Sequence, residues 1–134
     1  GTHNMPGIAG LLEGIRYVQR TGMETIAAHE RRLTAQAVKL LRQTEGIRLF
    51  WCDGFRHQTG VLSFIVEGTD CEELGEAMAR HGVALRAGLH CAPLAHRTVG
   101  TLKTGTIRFS PSAFNTPQQV VQFAQILQTT LRKM

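Results

Sequence analysis

Aromatic residues are scarce in this 134-residue chain, with one Trp, one Tyr and six Phe making up 6% of it. Single-stranded nucleic acids are held by stacking bases on aromatic faces along a basic groove, and so few rings, none grouped among cations, do not build one. Acidic residues are also short, ten against fifteen Lys and Arg, for a formal charge of +5. The twelve arginines are scattered rather than blocked, which describes a mildly basic surface with a few anion-binding positions and no nucleic-acid stripe. Cysteines number three, at 52, 71 and 91, with no CxxC spacing. That excludes a disulfide framework and a spaced zinc site, and points to a reducing, cytoplasmic compartment. No apolar run approaches the roughly 18 residues needed to cross a bilayer, so no membrane span is expected. The opening Gly1-Thr2-His3-Asn4-Met5-Pro6-Gly7 has no basic or apolar leader, so no secretory signal is expected either. A first residue that is Gly rather than Met suggests a piece of a longer chain.

With 43% apolar and 19% charged residues, the composition is that of one globular domain able to bury roughly two-thirds of its unfolded surface. Ile8, Leu11, Leu12, Ile15 and Val18 recur at helical spacing, predicting a helix over 6–20 with Asn4 as its N-cap. A second helix is expected over about 23–45, stopping at Gly46. The period then changes: 47–51 and 60–66 read as paired strands about a turn at Asp53-Gly54, the second apolar on both faces and therefore central. Thr69 through Glu72 suggests a capping box, with Thr69 as N-cap of a helix that ends at Gly82. A short strand is expected over 83–86 and another over 106–110, and between them 87–105 reads as a long working loop. Thr116, Pro117 and Gln119 mark the start of a last helix. The expected class is α+β, with helices packed on a small, mainly antiparallel sheet.

The chemistry concentrates in Arg86-Ala87-Gly88-Leu89-His90-Cys91-Ala92-Pro93-Leu94-Ala95-His96. A loop cysteine beside His90, with Arg86 and His96 in reach, has the cationic surroundings that favour a nucleophilic thiolate. The plain alternative is that Cys91 is a small buried hydrophobe, and Cys52 and Cys71 read as structural filler. Arg108, between apolar neighbours on a short strand, has the planar fork that suits a carboxylate or phosphate; an exposed cation or a structural ion pair is the alternative. His90, Cys91 and His96 lack a familiar metal-ligand spacing, and no metal is expected.

Three segments, Gly1-Thr2-His3-Asn4-Met5-Pro6-Gly7-Ile8, Arg86 through Pro93, and Thr106-Ile107-Arg108-Phe109-Ser110 followed by Phe114-Asn115-Thr116, resemble landmarks of the class V aminotransferases. More narrowly, they are similar to the cysteine desulfurase and selenocysteine lyase branch. The R-[AT]-G-x-H-C-A and [IV]-R-x-S-x-x-x-[YF]-N-T patterns carry the likeness, and it runs in order along essentially the whole chain. The resemblance implies pyridoxal 5'-phosphate chemistry on a two-domain, fold-type-I scaffold. Residues 1–134 then correspond to the C-terminal small domain with its leading helix, and the large domain, with the cofactor-binding lysine in a His-Lys pair, lies upstream. Only Lys39, Lys103 and Lys133 are present and none follows a histidine, so this piece alone is expected to be inactive. By position, Cys91 would accept sulfur from L-cysteine as a persulfide, releasing alanine. Arg108 would clamp the substrate carboxylate, Arg86 and His90 would line the same cleft, and Thr2 would bind the cofactor phosphate of a neighbouring subunit. A homodimer and a sulfur-acceptor protein are the implied partners. Leu89 stands where many relatives have a second histidine, so proton shuttling is not implied there. Gly88, Gly100 and Gly105 would be hinges for a moving persulfide. Selenocysteine lyase, another lyase of the family, and a non-catalytic binding domain remain as alternatives.

Overall fold

The computed structural model describes residues 1–134 except 53, 55 and 56. Helix α1 (Met5–Thr21) starts where Asn4 Oδ1 accepts the Gly7 N–H at 3.1 Å, with Pro6 in the first turn, and stops at Gly22, whose φ of 85° an L side chain rarely adopts. Helix α2 (Met23–Leu41) buries Leu33, Ala37, Val38 and Leu41 along one face. It ends four residues earlier than its periodicity suggests, because the turn before strand β1 (Ile47–Phe50) takes up 42–46. Strand β2 (Leu62–Val66) pairs antiparallel with β1, Ile47 opposite Val66. Of the expected hairpin turn, Asp53 lies outside the described residues.

Helix α3 (Cys71–Arg80) is capped by Asp70 rather than Thr69, the Asp70 carboxylate accepting from the N–H groups of Glu72 and Glu73 at 2.9 and 3.0 Å. A carboxylate satisfies two orphan donors and complements the helix dipole, which a hydroxyl one residue earlier does not. Strand β3 comprises Arg86–Gly88, not 83–86. Leaving α3, Val83 sends its N–H back to the Met78 carbonyl, and the antiparallel ladder with strand β4 (Thr106–Phe109) begins only at Arg86. The segment expected to be a loop contains a two-turn helix, α4 (Pro93–Val99), begun by proline and closed by left-handed Gly100. Seven residues are too few to display a helical period. Helix α5 (Pro117–Leu131) has the predicted capping box in full, Thr116 and Gln119 each accepting the other's backbone N–H.

The sheet order is β1-β2-β4-β3, all antiparallel, with β2 interior as expected. Strand alternation sorts it into two faces. Leu62, Phe64, Ile107 and Phe109 point into a core completed by α2, α3 and α5, where Phe109 and Phe123 stack at 4.7 Å. The opposite face carries Arg48, Phe50, Ser63, Arg108 and Arg86. Helix α1 buries none of its residues, and Met5, Ile8, Leu11, Leu12, Ile15 and Val18 form an exposed apolar row.

Candidate active site

The β3–β4 ladder sets Arg86 directly opposite Arg108. Like charges in that relation repel, and among the described residues the one ion pair is Arg16 with Glu13, far along the sequence on α1. Arg108 is half-buried, and its Nε is fully buried without a hydrogen-bond partner. A guanidinium cannot shed its charge, so this arrangement is unfavourable by itself and becomes favourable when an anion arrives.

His90 closes the side of the cluster. Its Nε2 lies 3.1 Å from both the carbonyl and the hydroxyl oxygen of Thr106, so Nε2–H donates to the carbonyl and Nδ1 is left buried and unpartnered. Burial holds the imidazole below its ordinary range and the Arg108 charge pushes the same way; the Thr106 carbonyl opposes this, while His96 and Arg86 add lesser repulsion. The unfolded chain therefore binds more protons than the folded one as pH falls through the ordinary imidazole range, so stability is lost over that range while folded His90 stays neutral, and the loss levels off once folded His90 itself takes a proton. An NMR titration of the His90 ring is expected to give a midpoint below 6.5, and Arg108→Gln is expected to raise it. A midpoint indifferent to Arg108 would contradict this electrostatic picture.

His90 and Cys91 have φ of 52° and 58°. Two consecutive non-glycine residues in the left-handed region are costly, on the order of 1–2 kcal/mol each, and they turn the chain sharply so that Cys91 stands exposed just ahead of α4. His96 does not lie on the surface: it is buried, its Nδ1 is 2.8 Å from the Thr101 hydroxyl, and its ring is 5.8 Å from that of His90. It anchors α4 behind the loop. A Cβ on Gly105 would stand 2.9 Å from the Gly88 backbone, so the chain leaving β3 and the chain entering β4 are in contact there.

Of the residues singled out in the sequence, the structure thus brings Arg86, His90 and Arg108 together and displays Cys91 one residue away. Thr2 lies in the exposed segment ahead of α1, and among the described residues no hydrogen bond joins it to this cluster. Asn4 is a helix cap. Cys52 is exposed, and Cys71 is buried with its thiol on the Thr104 carbonyl. Thr106, which orients His90, was not singled out. A threonine two residues before Arg108 shares its sheet face, and that spacing is the available signal. No group of three His, Cys, Asp or Glu able to hold a metal occurs among the described residues, nor does a helix long and apolar enough to cross a membrane.

An unpaired guanidinium faces an opposing arginine, and an exposed cysteine follows on a strained turn, a set of groups chemically suited to an anion and a nucleophile. The chain belongs to the aminotransferase class-V family, whose model matches residues 1–123. It is 40% identical over 124 residues to a cysteine desulfurase of Synechococcus elongatus, covering 92% of this chain and 19% of that protein. A probable cysteine desulfurase of Xylella fastidiosa is 35% identical over 127 residues, covering 95% and 30%. Among solved structures, the apo cysteine desulfurase from Thermococcus onnurineus superposes with a TM-score of 0.90 at 28% identity, over all of this chain and 33% of that one. The cysteine desulfurase CsdA from Escherichia coli, described as an S-sulfonic acid form, gives 0.88 at 27% identity, over all of this chain and 32% of that one. The chain therefore spans between about a fifth and a third of the length of these relatives.

Proposed function

We propose that residues 1–134 are the C-terminal small domain, with its leading helix, of a pyridoxal-phosphate-dependent cysteine desulfurase that moves sulfur from L-cysteine to Cys91. The observation that carries this reading is the buried Arg108 Nε without a partner, held opposite Arg86 beside an exposed thiol. Such a site is unfavourable until a carboxylate fills it.

The residues present fit the substrate side of a pyridoxal phosphate centre. The orphan donor Arg108 Nε–H suits a carboxylate-bearing amino acid, and the Thr2 hydroxyl is available for the phosphate of a second subunit's cofactor, which makes a homodimer the functional unit. Covalent attachment of the cofactor belongs outside this chain: Lys39 is on α2, Lys103 precedes β4, Lys133 follows α5, and none is paired with a histidine. When bound, the cofactor supplies an electron sink for charge developing on the substrate carbon skeleton.

This chain's residues do the rest. Arg108 takes the substrate carboxylate through two parallel hydrogen bonds and fixes its orientation. Arg86 adds positive potential across the ladder, favouring the carboxylate. His90, kept neutral, braces the loop against Thr106 while the left-handed turn presents Cys91. The Cys91 sulfur attacks the substrate sulfur, so an S–S bond forms and the substrate Cβ–S bond breaks. The electron pair of that bond goes to Cβ, which takes up a proton and leaves as alanine. The Cys91 thiol is oxidised to a persulfide and the substrate is reduced, so no outside oxidant is required. A sulfur-acceptor protein in the cytoplasm then removes the terminal sulfur.

The uncovered apolar row on α1 supports the same reading. The relatives are some three to five times as long, and the upstream large domain is the occupant that covers it. The chain by itself is accordingly inactive. The test is mass spectrometry of the full-length protein after exposure to L-cysteine, which is expected to find one added sulfur on Cys91; modification elsewhere, or none, would overturn the assignment.

A further inference from the structure

Cys71 is a buried thiol for which the proposed reaction has no use, yet it sits where the Cys91 loop begins and ends. It occupies the first turn of α3, and its Sγ–H donates to the Thr104 carbonyl at 2.9 Å. Gly88 is the last residue of β3 and Thr104 comes two residues before β4, so Gly88 and Thr104 bracket the excursion 89–103 that carries His90, Cys91 and α4. The bracket is tight. Gly105 touches the Gly88 backbone so closely that a Cβ would lie at 2.9 Å, and α3 presses on β3, a Cβ on Gly75 falling 3.2 Å from that of Ala87.

We propose that Cys71 is a positioning residue: its Sγ–H fastens the returning end of the Cys91 loop, at Thr104, to the N-terminus of α3 and so sets where the reacting thiol stands. Burial pushes the Cys71 pKa up, and the neighbouring Asp70 and Glu72 carboxylates add to this against the Gly88 N–H. It therefore keeps the proton that the Thr104 carbonyl needs, while Cys91, exposed, is left as the thiol available for reaction. An untethered excursion of this length regains conformational freedom at its ends, and misplacing a reacting atom by about 1 Å can cost on the order of 10²-fold in rate. The effect on catalysis rests on the reading of Cys91 as sulfur acceptor; the fastening itself does not.

The experiment compares Cys71→Ser with Cys71→Ala in the full-length holoenzyme. The two side chains are nearly equal in size and differ in the hydroxyl, which can still donate to Thr104. Cys71→Ala is expected to lower kcat for alanine formation about tenfold or more, leave KM for cysteine within about twofold, and speed amide hydrogen exchange over 89–104. Cys71→Ser is expected to stay close to the parent in all three. Equal behaviour of the two variants, or a worse serine, would mean that Cys71 merely fills space and would overturn the proposal. If Cys91→Ala proves fully active, the sulfur-acceptor reading fails. The exchange data then decide the fastening separately: faster exchange in the alanine variant alone upholds it, and no difference between the variants refutes it.

Discussion

Cys91→Ala in the full-length protein is expected to abolish alanine and persulfide formation from L-cysteine, by about 10³-fold or more in kcat, with cofactor binding unchanged. The loss is large because no neighbour can replace this sulfur. Cys71 is buried and hydrogen-bonded to Thr104 in the base of the loop, and Cys52 lies in the connection that leaves β1, at the sheet edge opposite β3. The left-handed His90–Cys91 turn is specific to position 91. Cofactor binding is spared because Cys91 holds no part of the phosphate or ring in this account. The same variant separates two chemistries. Selenium leaves more readily than sulfur and can depart without a protein nucleophile, so selenocysteine turnover that persists in Cys91→Ala while cysteine turnover vanishes agrees with the assigned role. Full cysteine turnover in the variant would contradict it. Alanine production measured against absorbance of the bound cofactor gives both quantities at once.

Arg108→Gln is expected to lower kcat/KM for L-cysteine by about 10²–10⁴-fold, the loss associated with truncating one partner of a buried, charge-assisted pair. Arg108→Lys should recover little of it, since a point charge cannot form two parallel hydrogen bonds to a carboxylate. The effect on stability should run the other way. The Arg86–Arg108 opposition and the unpartnered Nε make the parent residue unfavourable in the ligand-free state, so the glutamine variant should unfold at the same temperature or higher. A residue kept for folding would show the reverse, with falling thermal stability and nearly unchanged kcat/KM. Thermal unfolding alongside steady-state kinetics therefore distinguishes the two roles.

Local signals in the sequence were reliable where local physics decides. The Thr116–Gln119 capping box, the Asn4 cap and the doubly apolar β2 follow from hydrogen-bond satisfaction and burial within a few residues. The misread parts depend on distant partners. Strand β3 starts at Arg86 because β4, twenty residues on, is there to receive it, and α4 is too short to be periodic. The α1 stripe is amphipathic in sequence but uncovered in this chain, since a periodicity does not say what it packs against. At the site, Cys91, His90, Arg86 and Arg108 could be picked out by residue type and neighbours. Their arrangement could not: it depends on the register that sets the two arginines opposite, on Thr106 turning the His90 ring, and on the Gly88–Gly105 contact beside the Cys71–Thr104 hydrogen bond. These are contacts across 16 to 33 positions of chain, beyond the reach of any window over the sequence.

In the proposed reaction an amino acid gripped at its carboxylate by Arg108 delivers its sulfur to the thiol at position 91. Peptide mapping of the intact, cofactor-loaded protein quenched during turnover with L-cysteine tests it most directly. A persulfide is expected on the peptide carrying Cys91, greatly reduced in Arg108→Gln. A persulfide on Cys52 or Cys71, or alanine accumulating with Cys91 unmodified at every quench time, would contradict it.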